Sequence, residues 1–453
     1  MIEGPLLLVV ILLAVVLIVV GASVFKVHPF IMLLMASLLV GIVVGIPAIK
    51  VVGFINDGFG SIIGGIGIVI ILGSILGVIL EKSGAAVKTA EFILQTIGRK
   101  SPELGIGFLG ALVSIPVFCD SGFIILSRLC HVMAQKRNIA AGSLFLSLAG
   151  GMYTTHTLVP PTPGPIAAAG NLGGESYLGL VIISGLLISI PVVLIAVSYS
   201  KYIFKKYPYE SELSDTPILS DQSLPSLGLS MSPIFIPLIL IGLGSVAQFV
   251  GFHNGLIDAL VFLGNPVIAL LAGLLIAVPL LKYIGKVERS SSFQEGLVQA
   301  GPVLILTGAG AAFGAVLKAT PMAQMVEGWL SGGDAGGIYF ILAGFAFTAI
   351  LKTSQGSTTS AMVITSSILG PLLSLGGLDN PTGIVLMVAA IGGGGMTVSH
   401  ANDSFFWVVA QFSGIKDIKV AYRTITVMSL VQGMTILAIA ISGFFALLSQ
   451  NHY

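Results

Sequence analysis

The stretch THTLVPPTPGP, residues 155–165, decides the fold, because it is polar and proline-rich inside a strongly apolar chain. Four of its last six residues are proline. Proline in a helix interior removes a backbone hydrogen bond and clashes with the preceding turn. In hydrocarbon, irregular backbone is tolerated only where it is buried in protein or lines a water-filled cavity. The stretch therefore predicts a broken helix beside such a cavity.

Composition places the chain in a membrane. The 453 residues are 55% hydrophobic and 9% charged, with a mean hydropathy of +1.06, whereas soluble domains have about 25% charged residues. Uncharged runs such as Pro5–Val24 and Ser61–Leu80 reach the about 20 residues that a spanning helix needs. We therefore predict an all-α polytopic membrane protein embedded in the lipid bilayer. No basic tract points to nucleic acid, and the first run lacks the basic flank and cleavage site of a signal peptide.

Ten apolar runs predict spanning helices, about five in each half of the chain. They are Pro5–Val24, Pro29–Pro47, Ser61–Leu80, Ala140–Pro160, Tyr177–Tyr199, Pro233–Val250, Pro266–Leu281, Leu297–Leu317, Gly383–Val398 and Thr424–Leu448. A polar interval between the halves predicts a cytoplasmic linker over 207–231. The linker separates an N-terminal repeat, 1–206, from a C-terminal repeat, 232–453.

Two pairs of shorter apolar segments predict re-entrant hairpins. In hairpin 104–129, two arms flank PVFCDS, residues 116–121, which we call the first tip. An arm of 12 residues is roughly 18 Å long, too short for a hydrocarbon core of about 30 Å. In hairpin 336–373, the arms flank KTSQGSTTS, residues 352–360, the second tip. Each hairpin precedes a broken helix, which in the second half contains GGGGMTVSHANDS, residues 392–404.

The two halves resemble each other in sequence. A shift of 236 residues without a gap aligns Gly60–Ala86 with Gly296–Met322 and places Ser121 on Ser357. With five spans in each half, nearly all lysines and arginines fall on one side, which the positive-inside rule makes cytoplasmic. Both termini are then outside. An odd number of spans in each repeat makes the repeats inverted, which is a transporter architecture.

Three ionisable side chains in these polar breaks are candidates for proton coupling. Asp120 is a carboxylate expected at membrane depth, which is a functional hypothesis by default; its alternative role is to cap a helix beginning at Ser121. His156 titrates near neutral pH, and it contacts substrate, carries a proton or simply holds the break together. Asp403 is either a second proton site or the cap of the helix that follows it.

Further polar residues of the tips and breaks are candidates for substrate binding, together with His156. Lys352 offers a point charge for a substrate carboxylate, or else its ammonium reaches the nearest water. The other candidates are Ser121, Gly122, Thr155, Thr157, Ser354, Gly356, Ser357, Thr358, Thr359, His400 and Asn402. The hydroxyls among them could hydrogen-bond a polyol substrate. They could equally satisfy backbone N–H and C=O groups that the hairpin leaves unpaired.

Five stretches carry a resemblance to a known family. HPFIMLLMASLLVG, PVFCDSGFIIL, THTLVPPTPGP, SQGSTTSAM and HANDSFFW resemble the gluconate permease family, gluconate:proton symporters of the ion-transporter superfamily, over essentially the whole chain. The resemblance implies import of a small organic anion, such as the sugar acid gluconate, with H+. It also implies elevator-type alternating access, a homodimer and the plasma (inner) membrane of a prokaryote.

Departures from the family pattern leave the substrate open. Asp120 stands where many relatives have glutamate, and Thr162 stands where a histidine interrupts the prolines. Glycerate and D-serine therefore remain alternative substrates, and Na+ remains an alternative coupling ion.

Enzyme motifs are absent from the sequence. We find no nucleotide-binding P-loop, no G-x-S-x-G, no H-E-x-x-H and no C-x-x-C, so we predict no cofactor and no metal. An intramembrane enzyme built on His156, Asp120 and Ser121 is disfavoured, because adjacent Asp and Ser aim no general base at the serine. A channel is the other alternative, but two unlike tips from inverted halves suit alternating access better.

Overall fold

The computed structural model describes residues 5–207, 224–250, 255–321 and 336–451, apart from residues 97, 99, 138 and 402. These residues are nearly all helical. Eight helical stretches among them are long and apolar enough to span a membrane. The all-α polytopic fold is thereby confirmed. Most of the predicted linker 207–231 lies outside the described residues.

The part of the first half that the structure describes contains nine α-helices. They are α1 (Pro5–Ser23), α2 (Pro29–Val44), α3 (Ala48–Lys82), α4 (Ala85–Thr96), α5 (Pro102–Val113), α6 (Cys119–Arg137), α7 (Ala141–Leu158), α8 (Pro163–Asn171) and α9 (Leu178–Lys206). A 3-10 turn, Glu175–Tyr177, precedes α9. Helix α4 was not predicted.

The second half of the chain contains ten α-helices in its described residues. They are α10 (Leu227–Val250), α11 (Gly255–Leu263), α12 (Pro266–Ala277), α13 (Lys286–Lys318), α14 (Gly336–Gln355), α15 (Thr358–Leu369), α16 (Pro381–Met396), α17 (Ser404–Phe412), α18 (Ile418–Ala421) and α19 (Val427–Asn451). Helix α11 was not predicted. Short 3-10 segments follow α12 and α15, and a π-helical turn precedes α19.

The two longest helices, α3 and α13, pack against each other at the centre. A Cβ on Gly296 of α13 would lie 2.7 Å from Ile75 Cα, and one on Gly58 of α3 would lie 2.6 Å from Ala311 O. The residue numbers rise along one helix as they fall along the other, so the helices are antiparallel. At 35 residues, α3 is about 52 Å long, well beyond the about 30 Å of a hydrocarbon core.

Both predicted breaks separate two helices. Helix α7 ends at Leu158 and α8 begins at Pro163, where proline suits the first turn because that position needs no backbone donor. Helix α16 ends at Met396 and α17 begins at Ser404, capped by Asp403, whose Oδ1 accepts from Phe405 N at 3.2 Å. The capping role considered for Asp403 is therefore present.

Both predicted tips join two helices, with bounds that differ from the prediction. The first arm of the first hairpin, α5, has 12 residues, but α6 continues past Leu129 to Arg137, because polar residues such as Ser127 interrupt an apolar run without ending a helix. In the second tip, Gly356 has φ 78°, which glycine adopts without steric cost. Ser357 then caps α15 by accepting from Ser360 N at 3.2 Å.

Candidate functional site

A cavity of about 180 Å³ lies where the two tips meet α7 and the start of α17. A single water needs only about 10–15 Å³, so the cavity has room for a small molecule. Its lining combines carboxylates, hydroxyls and aromatic rings. It consists of Phe118, Cys119, Asp120, Tyr153, His156, Gly356, Ser357, Thr358, Thr359, Asp403, Ser404 and Phe405.

A buried ion pair joins the second tip to the second break. Lys352 Nζ lies 2.7 Å from Asp403 Oδ2, and the two residues are 1% and 4% exposed. Lys352 Nζ also donates to Gly356 O at 2.9 Å, and Ser399 Oγ donates to Asp403 Oδ2 at 2.5 Å. Buried charges are tolerated when they are paired and hydrogen-bonded in this way. Asp403 therefore lines the cavity with its charge already paired, and Lys352 stands behind it.

Asp120 connects the first tip to the second half of the chain. Its Oδ2 accepts a hydrogen bond from Ser404 Oγ at 2.9 Å. Helix α6 begins at Cys119, so Asp120 lies inside the first turn of that helix rather than before it. The side chain borders the cavity, which is the position that the proton-carrier hypothesis requires.

Tyr153 is a cavity residue that the sequence reasoning missed. Its hydroxyl lies 3.0 Å from Thr358 Oγ1 and donates to Gly395 O at 3.3 Å. Lys352 Nζ lies 6.0 Å from the centre of its ring, within range of a cation–π contact. Tyr153 precedes His156 by three residues on α7, so the two share a helix face. The spacing of three residues from His156 is the sequence pattern that could have identified Tyr153 as a cavity residue.

Several predicted hydroxyls are bonded within the protein and do not line the cavity. Ser121 Oγ donates to Glu81 Oε2 on α3 at 2.8 Å. Thr155 Oγ1 donates to a carbonyl of α5 at 2.7 Å, and Thr157 Oγ1 donates to its own helix. Ser354 Oγ donates to Ile350 O at 2.8 Å. These residues serve the alternative role of satisfying backbone or neighbouring groups.

Two other predicted positions, Gly122 and His400, also lie away from the cavity lining. Gly122 packs against the side chain of Met152. His400 Nε2 bonds Thr353 O at 2.8 Å and so ties the second break to the second tip. Asn402 lies outside the described residues. Seven of the predicted residues do line the cavity together. They are Asp120, His156, Gly356, Ser357, Thr358, Thr359 and Asp403.

The chain is similar to known proteins along nearly its whole length. The family model described as GntP family permease matches residues 6–447. An uncharacterized permease of Haemophilus influenzae is 35% identical over 371 residues, 77% of this chain and 74% of that protein. The D-serine transporter DsdX of Escherichia coli is 30% identical over 411 residues, 89% of this chain and 90% of that protein.

A gluconate permease of Pseudomonas aeruginosa is 29% identical over 438 residues, 94% of this chain and 93% of that protein. Among solved structures, the YdaH transporter of Alcanivorax borkumensis matches with a TM-score of 0.64 and 17% identity, over 93% of this chain and 98% of that one. This likeness concerns the fold. The chain therefore belongs to the GntP permease family and is a multi-pass membrane transporter, not an enzyme.

Proposed function

We propose that this protein is a secondary transporter that imports a small hydroxy carboxylate, with gluconate as the first choice, together with a proton. The observation that carries the proposal is the charge at the cavity. Among the described residues, two carboxylates, Asp120 and Asp403, line the cavity, and one ammonium, Lys352, pairs with Asp403 behind it. Gluconate permeases among the relatives support the substrate class.

The charge balance links anion binding to proton binding. With both carboxylates ionised, the three groups carry a net charge of −1. An entering carboxylate makes the net charge −2. Like charges repel strongly where water is excluded. One proton on a carboxylate restores the balance, and Asp120 is the better carrier, because Asp403 is already neutralised by Lys352. Substrate and proton are therefore expected to bind together.

The second tip supplies groups for the rest of the substrate. Ser357, Thr358 and Thr359 bring three hydroxyls to the cavity, and hydroxyls both donate and accept hydrogen bonds. A polyol chain matches such a wall. His156 lines the same cavity and is the other expected contact. Lys352 is placed to attract the substrate carboxylate from behind the wall.

We also propose that the two halves are inverted repeats that move as an elevator between the membrane faces. The antiparallel crossing of α3 and α13 supports this, because the shift of 236 residues that relates the halves places the end of α3, Lys82, on the end of α13, Lys318. Discontinuous helices at the contact of two repeats are typical of transporter binding sites. A homodimer in the plasma membrane follows from the family resemblance.

A zwitterionic amino acid such as D-serine is the second candidate substrate. Its ammonium would face Asp120 and its carboxylate would face Lys352, so the charge balance would need no proton. D-serine transporters among the relatives favour this alternative. Sodium coupling is the other alternative, since the hydroxyl-rich second tip offers oxygen ligands of the kind that line sodium sites.

Uptake by the purified protein in vesicles tests these proposals. With an inward proton gradient and no sodium, the vesicles should accumulate radiolabelled gluconate, and unlabelled gluconate should compete more strongly than glycerate or D-serine. If only D-serine competed strongly, the proposed substrate would be an amino acid and not a sugar acid. Accumulation that requires sodium and ignores the proton gradient would overturn proton coupling.

A further inference from the structure

A second, much smaller cavity lies between α3, the first tip and the first break. Its volume is about 10 Å³. Ser74 of α3, His156 of α7 and the prolines at 116, 161 and 163 are among its lining residues. His156 borders this cavity and also the larger one. Its ring therefore forms part of the partition between the two.

Two side chains that line this small cavity each have a polar atom without a partner among the described residues. Ser74 Oγ and His156 Nδ1 are both buried without a hydrogen bond, and the two residues are 3% and 8% exposed. Leaving a buried polar group unsatisfied costs about 1–3 kcal/mol. Two such atoms on one cavity point to a ligand that satisfies both.

We propose that this cavity is a binding site for a single water molecule, which bridges Ser74 Oγ and His156 Nδ1. The volume is about that of one water, and a buried water typically makes 2–4 hydrogen bonds. A metal cation fits less well, because hard cations take six or more oxygen ligands. The side chains that line this cavity offer two hydroxyls, one of which, Thr162 Oγ1, already donates to Val159 O, and a ring nitrogen. Ser74 thereby becomes a positioning residue for His156.

A water both donates and accepts hydrogen bonds, so the direction of the bridge decides which nitrogen of His156 carries the proton. The direction that serves the larger cavity has Ser74 donating to the water and the water donating to Nδ1, so that Nε2 keeps its hydrogen. The tautomer of a histidine is set by the hydrogen bond that its other nitrogen makes. An Nε2–H group is then offered to the larger cavity, where an anionic substrate needs a donor. This last step rests on the proposed function, whereas the water site itself does not.

Nitrogen NMR of the full-length protein tests the site without any transport. The chain has six histidines, and the spectrum of His156→Asn identifies the signals of His156 in protein labelled with ¹⁵N-histidine. We expect the Nε2–H tautomer in the wild type and a changed Nδ1 signal in Ser74→Ala. An Nδ1–H tautomer, an unchanged Nδ1 signal in Ser74→Ala, or a signal that depends on sodium would each overturn the proposal.

A double-mutant cycle tests the positioning role. Glutamine at position 156 places its amide nitrogen near Nε2 and has no atom at Nδ1. Ser74→Ala should raise KM for uptake about fivefold in the wild-type background, the effect of one hydrogen bond, and have no further effect in His156→Gln. Equal effects in both backgrounds would show that Ser74 acts elsewhere.

Ser147→Ala is the matched control, since Ser147 is a buried serine of α7 whose hydroxyl donates to Ser143 O, away from both cavities. It should leave KM and the His156 signals unchanged. An experimental map that resolves waters provides a test without any variant. Density within hydrogen-bonding distance of both Ser74 Oγ and His156 Nδ1 is expected, and its absence from such a map would overturn the water site. If the wild type transports no gluconate, the NMR and density tests still decide the inference.

Discussion

The two tips occupy equivalent places in the chain and have opposite chemistry. The shift of 236 residues places Asp120 on Gly356 and Pro116 on Lys352. The first tip thus brings a carboxylate to the cavity, while the second brings an ammonium that is held by the carbonyl of Gly356 and by Asp403. The halves share a pattern of broken helices, whereas their tips carry opposite charges. The proposed symport of one anion with one proton would use both charges.

The tips also differ in what holds them. The second tip is bound locally, because Lys352 donates to Gly356 O and Ser357 caps the helix that follows. The first tip is bound to distant helices, since Ser121 donates to Glu81 of α3 and Asp120 accepts from Ser404 of α17. Changes in the second tip are therefore expected to act on binding. Changes in the first tip are expected to act on coupling.

The largest effect is expected for Lys352→Met. It leaves Asp403 buried without its cation, and breaking a buried pair in this way costs about 3–5 kcal/mol. Thermal unfolding in detergent should show a strong loss of stability, and uptake should disappear. The double variant Lys352→Met/Asp403→Asn should recover part of the stability without recovering uptake. Normal substrate affinity in the single variant would contradict the role assigned to the second tip.

Asp120→Asn should separate coupling from binding. An asparagine side chain still accepts from Ser404 but carries no proton, so accumulation driven by a proton gradient should be lost while exchange of internal for external substrate persists. Ser404→Ala is the control, because it removes the hydrogen bond and keeps the carboxylate. If Asp120→Asn vesicles still concentrate substrate, another residue carries the proton.

Thr358→Val and Ser121→Ala compare hydroxyls of the two tips directly. Thr358 Oγ1 lines the cavity and bonds Tyr153 and Gly395, so its loss should raise KM about fivefold, the effect of one hydrogen bond. Ser121 bonds Glu81 outside the cavity lining, so its loss should leave KM nearly unchanged. The measurement is the concentration dependence of initial uptake rates. The reverse order of KM values would exchange the roles of the two tips.

The smallest effect is expected for Ser354→Ala. The Ser354 hydroxyl bonds the carbonyl of Ile350 in its own helix, and substitutions away from special features usually change stability by no more than about 0.5 kcal/mol. KM should change less than about twofold, since 0.5 kcal/mol corresponds to little more than that. A tenfold rise in KM would show that Ser354 belongs to the substrate site after all.

Long apolar runs made most of the fold predictable. Helices α1 and α2 begin at the predicted prolines, and α2 ends early because Gly45 turns the chain with φ 94°. Helix α4 was missed because Lys88 and Glu91, which form an ion pair on its surface, interrupt the apolar pattern. Polar residues within α6 likewise concealed its true length.

The candidate site was predictable one residue at a time but not as contacts. Asp120, His156 and Asp403 stood out because ionisable groups are rare in apolar sequence. The pairing of Lys352 with Asp403 depends on how α14 meets the second break, and no local periodicity encodes that contact. Glu81 was passed over because it stands at the end of an apolar run, where a charge is ordinary.

Gly77 of α3 has a consequence for how the first tip is seated. A methyl group at this position would overlap the carbonyl oxygen of Pro116, which is backbone and cannot swing aside. Any larger residue therefore acts as a wedge that lifts the tip from α3, separates Ser121 from Glu81 and carries Asp120 out of register with Ser404. The position of Asp120, the proposed proton carrier, thus depends on a residue with no side chain, on a helix that contributes no residue to the lining of the larger cavity.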